Sequence, residues 1–246
     1  MSIDKAKQQM DPQLNNFMPP KFENILFDLD GTLTDPKEGI VNSILYALKK
    51  LDITENFVNE LVTFIGPPLR DSFAKRYDLS ITHAEKAVSI YREYFSTKGL
   101  FENELYPGVT ELLETLSAQK CRLFVVTSKP TVYAERILMH FSLDKYFIKI
   151  IGSNLDNTLT DKTELIAHVV STLGLDAGSS VMVGDRKFDM IGARNNSMKA
   201  IGVTYGYGSL QELLFEKPYL IVNNCRELER ALSRKSAGEV LQSFTQ

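Results

Sequence analysis

The spacing of apolar residues changes twice along the chain. At NILFDLD, residues 24–30, three consecutive apolar residues end in two acids, which predicts a short buried strand. Over 37–104 the apolar positions recur at three- and four-residue steps: Ile40, Ile44, Leu45 and Leu48; Phe57, Leu61 and Phe64; Leu69, Phe73 and Tyr77; Val88, Tyr91 and Phe95. That period predicts roughly four helices and no convincing strand. Pro67-Pro68 opens one of them, and a Thr82/Glu85 capping box opens another. The aromatic residues of this block read as its core. From about residue 105 strands and helices alternate. Strands are expected at 122–128, 147–153, 180–185, 200–203 and 219–222. Helices are expected at 107–118, 130–140, 161–173, 187–195, from Ser209, and near 225–233.

Alternation of this kind implies an α/β fold, a doubly wound parallel sheet with helices on both faces. The first strand must join that sheet, since a lone strand cannot bury itself. The helical segment 37–104 is then an insertion, placed at the carboxyl edge where the first strand exits. The expected domains are a flexible lead-in over 1–21, an α/β core built from 22–36 and 105–246, and a helical domain over 37–104.

Composition narrows the possibilities. The 246 residues are 43% hydrophobic and 24% charged, with a net charge of −3, which suits a globular chain. No basic cluster marks a nucleic-acid surface. No apolar run approaches the roughly 18 residues that span a bilayer, so no membrane partner is expected. The two cysteines, Cys121 and Cys225, have no metal-site spacing and fit a reducing, cytoplasmic setting. A small-molecule partner remains, and oligomeric state is not legible.

In open α/β sheets ligands bind beyond the carboxyl ends of the strands. The first strand delivers Asp28 and Asp30 there. The second delivers Thr127, Ser128 and Lys129. The third leads into the helix that carries Lys162. The fourth delivers Gly184 and Asp185, with Asp189 four residues on. Four carboxylates in one crevice repel one another, and a divalent cation, Mg²⁺ by its preference for hard oxygen ligands, removes the objection. Lys162 sits in the first turn of a helix, the unfavourable end for a cation, which an anionic ligand would explain. Gly31 lets the backbone turn and approach a ligand closely, and the N–H groups of residues 29–31 could form an anion nest. A carboxylate can attack phosphorus, while a second acid protonates the leaving alkoxide and then activates water.

The segments DLDGTLTD, VVTSKP, the DK at 161–162 and VGDRKFD, taken in this order, resemble the four motifs of the haloacid-dehalogenase-like hydrolases. The likeness spans 24 to about 223. FIGPPL (64–69), VVTSKP and GVTYGYGS (202–209) are closer to the phosphoglycolate-phosphatase-like branch, and the insertion resembles that family's small helical cap. The resemblance implies a Rossmann-like core and a Mg²⁺-dependent phosphatase for small phosphomonoesters. It makes Asp28 the nucleophile and Asp30 the general acid/base, with the Asp30 carbonyl a metal ligand. Thr127 and the Ser128 backbone would bind phosphate together with Leu29 and Gly31. Lys162 would neutralise nucleophile and phosphate. Asp28 and Asp185 would hold the metal, with Asp189 supporting it. Position 128 is serine where many relatives have asparagine, and Lys162 lies in TDKTE rather than before a proline.

Asp30 disfavours a dehalogenase, whose members lack the second acid. Lys37 lies in an ordinary PKEG turn, not in the setting of a Schiff-base lysine for phosphonate hydrolysis. A sugar phosphomutase keeps both acids and stays open as an alternative, as does a non-catalytic phospho-ligand-binding protein. Arg70, after the Pro-Pro turn, is a candidate for contacting a substrate anion, although Arg70, Lys75 and Arg76 also read as solvated surface charge. Phosphoglycolate, a nucleoside 5′-monophosphate and a sugar phosphate are the substrates to separate.

Overall fold

A computed structural model describes residues 22–156 and 158–233; the expected lead-in, 1–21, lies outside them. Strand β1 (Asn24–Phe27) is buried along its whole length. Its side chains alternate between two faces, as strand geometry requires. Ile25 and Phe27 enter one apolar cluster and Leu26 the other. Full burial of such a side chain is worth about 1.5–3 kcal/mol, so β1 belongs in the middle of the sheet.

Two short strands and a helical block come next. They are β2 (Thr34–Asp35), helix α1 (Lys37–Lys50), a 3₁₀ segment Val58–Phe64, α2 (Leu69–Tyr77), α3 (Ile81–Tyr94), a π turn Phe95–Gly99 and β3 (Glu104–Leu105). The core then continues with α4 (Val109–Ala118), β4 (Arg122–Pro130), α5 (Thr131–His140), β5 (Lys149–Ser153) and α6 (Lys162–Leu173). It closes with β6 (Ser180–Gly184), α7 (Lys187–Asn195), β7 (Lys199–Val203), α8 (Leu210–Phe215), β8 (Leu220–Val222) and α9 (Cys225–Leu232).

The large sheet runs β5-β4-β1-β6-β7-β8, and every pairing in it is parallel. Leu165, Ile166 and Val169 of α6 pack with Met190 and Ala193 of α7 on one face. Leu112 and Leu116 of α4, Ile137 and Leu138 of α5 and Leu228 of α9 pack on the other. Phe27 lies opposite Val125 on β4 and Val183 on β6. In that register Asp28 leaves the sheet within about one residue of the level of Thr127 and Asp185. The helical block stands over this edge.

Four departures from the sequence reading have physical causes. Strand β1 stops at Phe27, because Gly31, at φ +86°, turns the chain back and Asp30 bridges to Thr34. The antiparallel pair β2–β3, where the chain enters and leaves the helical block, is two residues long on each side and carries no periodicity to read. Helix α3 is capped by Ser80, whose hydroxyl accepts the His83 N–H, not by Thr82. The earlier start keeps Ala84, Ala87, Val88 and Tyr91 on one buried face. Phe57 is 64% exposed, outside the core of the block, whereas Arg76 is partly buried and pairs through Nε with Glu55 at 2.8 Å.

Candidate active site

The carboxyl edge of the sheet and the helical block enclose a crevice of about 190 Å³. Asp28, Asp30, Thr127, Ser128, Lys129, Lys162 and Asp189 line its floor. Lys162 lies at the centre and is 5% exposed. Its Nζ is 2.9 Å from Asp28 Oδ1 and 2.8 Å from Asp189 Oδ1, and donates to the Val126 carbonyl at 3.0 Å. Burial lowers a lysine pKa, but here the Asp189 and Asp28 carboxylates outweigh it and hold the ammonium above its ordinary range.

Local sequence explains how Lys162 arrives. Asp161 caps α6 by accepting the N–H groups of Thr163 and Glu164. Gly192 on α7 lets the two helices approach, since a Cβ there would lie 3.0 Å from the Lys162 backbone. Ser128 Oγ donates to the Thr160 carbonyl at 3.0 Å and thereby ties the end of β4 to the loop before Lys162. Serine at this position therefore has a local function of its own. Thr127 is buried, and its hydroxyl accepts the Lys129 N–H at 3.3 Å.

The two acids of DLD part company. Asp28 faces Lys162. Asp30 Oδ1 accepts from Lys129 Nζ at 2.7 Å, and that ammonium also lies 4.9 Å from the Phe95 ring centre. Burial pushes the Asp30 pKa up against the opposing pull of Lys129. Lys129 is a site residue beyond those expected from the sequence; its position two residues after Thr127, at the end of the same strand, is the signal that marks it.

Asp185 is fully buried behind the floor. Its Oδ2 accepts the Tyr207 N–H at 2.7 Å. Burial, followed by the Asp189 and Asp28 charges, pushes its pKa up to about 8. Asp189 is raised too, chiefly by burial; its second oxygen accepts the Arg186 N–H at 3.1 Å. Asp28, Asp185 and Asp189 each offer an oxygen within 4.8 Å of the others. Such a hard-oxygen set can hold a divalent cation, whose charge would offset the burial and mutual repulsion that raise Asp185 and Asp189.

The loop itself corrects the expected role of Gly31. Its N–H donates to the Thr34 carbonyl at 2.8 Å, so it is not part of an anion nest. Among the described residues, the Leu29 and Asp30 N–H groups have no backbone acceptor. The room that Gly31 clears belongs to Asp185: a Cβ at Gly31 would lie 2.3 Å from Asp185 Oδ2. The GVTYGYGS loop presses in from the other side, where a Cβ on Gly206 would meet Asp185 Cβ at 2.4 Å.

The upper walls are largely apolar, with Ile40, Phe64, Val88, Tyr91, Phe95 and Tyr133. Arg70 reaches the rim, but its guanidinium, 44% exposed, pairs with neighbouring Asp71 at 3.1 Å.

Carboxylates, a lysine and a threonine gathered at the carboxyl edge of a doubly wound parallel sheet place a ligand site where open α/β folds carry theirs. A model of the haloacid dehalogenase-like hydrolases matches residues 25–203, and the chain belongs to that family. A 5′-nucleotidase of Pseudomonas aeruginosa is 48% identical over 198 residues, covering 80% of this chain and 90% of the relative. A phosphoglycolate phosphatase of Vibrio parahaemolyticus is 27% identical, over 83% of this chain and 93% of that protein. Among solved structures, one described as a predicted phosphatase from Clostridium acetobutylicum superposes with a TM-score of 0.82 at 42% identity, over 90% of this chain and 99% of that one. Among the described residues no helix is long and apolar enough to cross a membrane.

Proposed function

We propose that the protein hydrolyses small phosphate monoesters, nucleoside 5′-monophosphates foremost, through a phosphoryl group carried on Asp28. The observation that carries this is the Lys162 ammonium, held between Asp28 and Asp189 at the sheet edge. The hydrolase family and the phosphatase relatives support the reaction class.

In the proposed mechanism an Asp28 oxygen attacks phosphorus, and the bond to the leaving oxygen breaks. Asp30, whose raised pKa favours the acid form, gives its proton to that oxygen. Water then attacks the phosphoryl group, Asp30 takes a proton back, and inorganic phosphate leaves with Asp28 regenerated. Thr127 and the Leu29 and Asp30 N–H groups orient the phosphoryl oxygens, and Lys162 offsets charge on nucleophile and phosphate. Asp28, Asp185 and the Asp30 carbonyl would hold Mg²⁺, with Asp189 in support. When bound, the ion supplies positive charge against the phosphoryl oxygens. The helical block acts as a cap that excludes water.

The crevice argues for the leaving group. The cations lining it are engaged: Lys129 with Asp30, Arg186 with Glu212, Arg70 with Asp71, and Arg92 with the Leu155 carbonyl. A second anion such as the carboxylate of phosphoglycolate finds no ready partner. A nucleoside offers rings to the aromatic wall. The two cysteines are thiols, in keeping with a cytoplasmic setting.

Phosphate release from a panel of monoesters tests this reading. We expect kcat/KM for nucleoside 5′-monophosphates to exceed that for phosphoglycolate by roughly tenfold or more. Chelation should remove activity and added Mg²⁺ restore it. No phosphate release from any ester would refute hydrolysis, and isomerised sugar phosphate in its place would identify a mutase.

Metal also governs stability. The folded pKa of Asp185, about 8, lies above the ordinary aspartate value, so its favourable contribution is present at low pH and is lost as pH rises through about 8. Metal-free protein should therefore melt at a lower temperature at pH 8.5 than at pH 5.5. The increase in Tm on adding Mg²⁺ should be larger at pH 8.5. Equal increases at both pH values would contradict the assignment.

A further inference from the structure

FIGPPL in the cap and the arginine of VGDRKFD have so far no part in the chemistry, yet they meet. Arg186 directly follows Asp185, and its N–H donates to Asp189 Oδ2 at 3.1 Å. Its side chain leaves the loop and donates through Nη1 to the Ile65 carbonyl at 2.6 Å. Nε donates to Glu212 Oε1 at 3.0 Å, and the same oxygen accepts the Lys187 N–H at 2.8 Å. The guanidinium is thus held from the core side and reaches into the cap.

The cap side is shaped to receive it. Phe64 and Ile65 are buried and anchor the turn. Gly66 follows at φ +106°, and a Cβ there would lie 2.7 Å from Arg186 Nη1. Gly66, Pro67 and Pro68 then line the crevice. On the core side Gly208 lies against the backbone just before Arg186, where a Cβ would run into the Asp185 carbonyl. Two other arginine-to-carbonyl bonds join block and core among the described residues, Arg92 to Leu155 and Arg136 to Ser96. Of these three, Arg186 is the one that starts beside Asp185.

We propose that Arg186 is a positioning residue that couples seating of the Ile65–Pro68 turn over substrate to the set of the Asp185 loop. The proposal rests on the phosphomonoesterase reading of the crevice. Closing the cap makes the bond to Ile65, and the bond in turn fixes the loop that carries Asp185 and Asp189. Arg186 lines the crevice, but its guanidinium is taken up by Ile65 and Glu212, and its proposed effect passes through these neighbours.

The full chain is tested as Arg186→Ala, Arg186→Lys, Gly66→Ala and the Arg186→Ala/Gly66→Ala double variant. Nucleoside 5′-monophosphate turnover with Mg²⁺ is the first readout, and Tm is followed alongside. Arg186→Ala should lower kcat/KM roughly ten- to hundredfold, the scale of one charge-assisted hydrogen bond. Arg186→Lys should restore part of the loss, since one ammonium cannot serve both Glu212 and Ile65. The double variant should lose less than the product of the single losses. Amide exchange across residues 61–73, with and without Mg²⁺ and inorganic phosphate, is the second readout. Protection should rise on addition in the wild type and stay flat in Arg186→Ala. Multiplicative losses, or an equal gain of protection in Arg186→Ala, would overturn the coupling. A wild type that turns over no ester would defeat the reading of the reaction, and exchange would still decide the coupling.

Discussion

Asp28→Asn eliminates turnover while the protein still folds. The expected fall in kcat is on the order of 10⁴- to 10⁶-fold, the scale seen when another enzyme loses its nucleophile. An amide is a far poorer nucleophile than a carboxylate and cannot carry the phosphoryl group. The fold tolerates the change because Lys162 keeps Asp189 at 2.8 Å and the Val126 carbonyl at 3.0 Å. The neutral side chain also removes a charge that helps to raise Asp185 and Asp189. Metal-free Tm should therefore stay level or rise. Steady-state kinetics, circular dichroism and borohydride trapping of a phosphorylated Asp28 peptide in the wild type check these points. A variant within tenfold of wild type would remove Asp28 from the nucleophile's role.

The sequence disclosed the sheet well and the side-chain pairings poorly. The strand at 122–128 and the one at 180–185 were legible because apolar runs between turn residues announce buried strands. Asp28, Thr127, Lys162 and Asp185 could be brought to one edge because a parallel sheet aligns its strand ends. Lys129 was passed over because its partner, Asp30, lies 99 positions away, and Arg186 because Ile65 lies 121 away. No periodic pattern reports such a pairing. Gly31 shows a different limit. A glycine after two acids reads as room for a ligand, but the sequence could not say that the atoms packed against it are those of Asp185. Strands β2 and β3 stayed hidden because two residues are too few to show alternation.

Lys162→Met damages stability and rate together, in a way that depends on pH. The lysine serves three acceptors, Asp28, Asp189 and the Val126 carbonyl, from a position 5% exposed. Methionine fills similar volume and leaves two buried carboxylates without their cation. Removing one partner of a buried ion pair costs about 3–5 kcal/mol. At about 2–4 °C per kcal/mol for a chain of this size, Tm should fall by roughly 6–20 °C. The wild-type ammonium has a folded pKa above its ordinary value. Its contribution is therefore complete below the unfolded value near 10.4, and is lost only as pH rises through the folded value. The ammonium stays charged from pH 5 to 8.5, so the change across that range comes from the carboxylates. Without Lys162, Asp189, whose pKa burial already raises, takes up a proton more readily, and protonation relieves the buried charge. The stability deficit should thus be smaller at pH 5 than at pH 8.5, and Mg²⁺ should recover part of it at the higher pH. Turnover should fall by at least about 10²-fold, the scale of losing one preorganised charge contact. Lys162→Arg should not rescue either quantity. The lysine stem lies against Gly192, where a Cβ would already be 3.0 Å from Lys162 Cγ, and a planar guanidinium does not reproduce the single Nζ that meets Asp28, Asp189 and the Val126 carbonyl. Denaturant melts at the two pH values decide the matter: a Met variant as stable as wild type at pH 8.5 would show that the carboxylates draw their compensation from elsewhere.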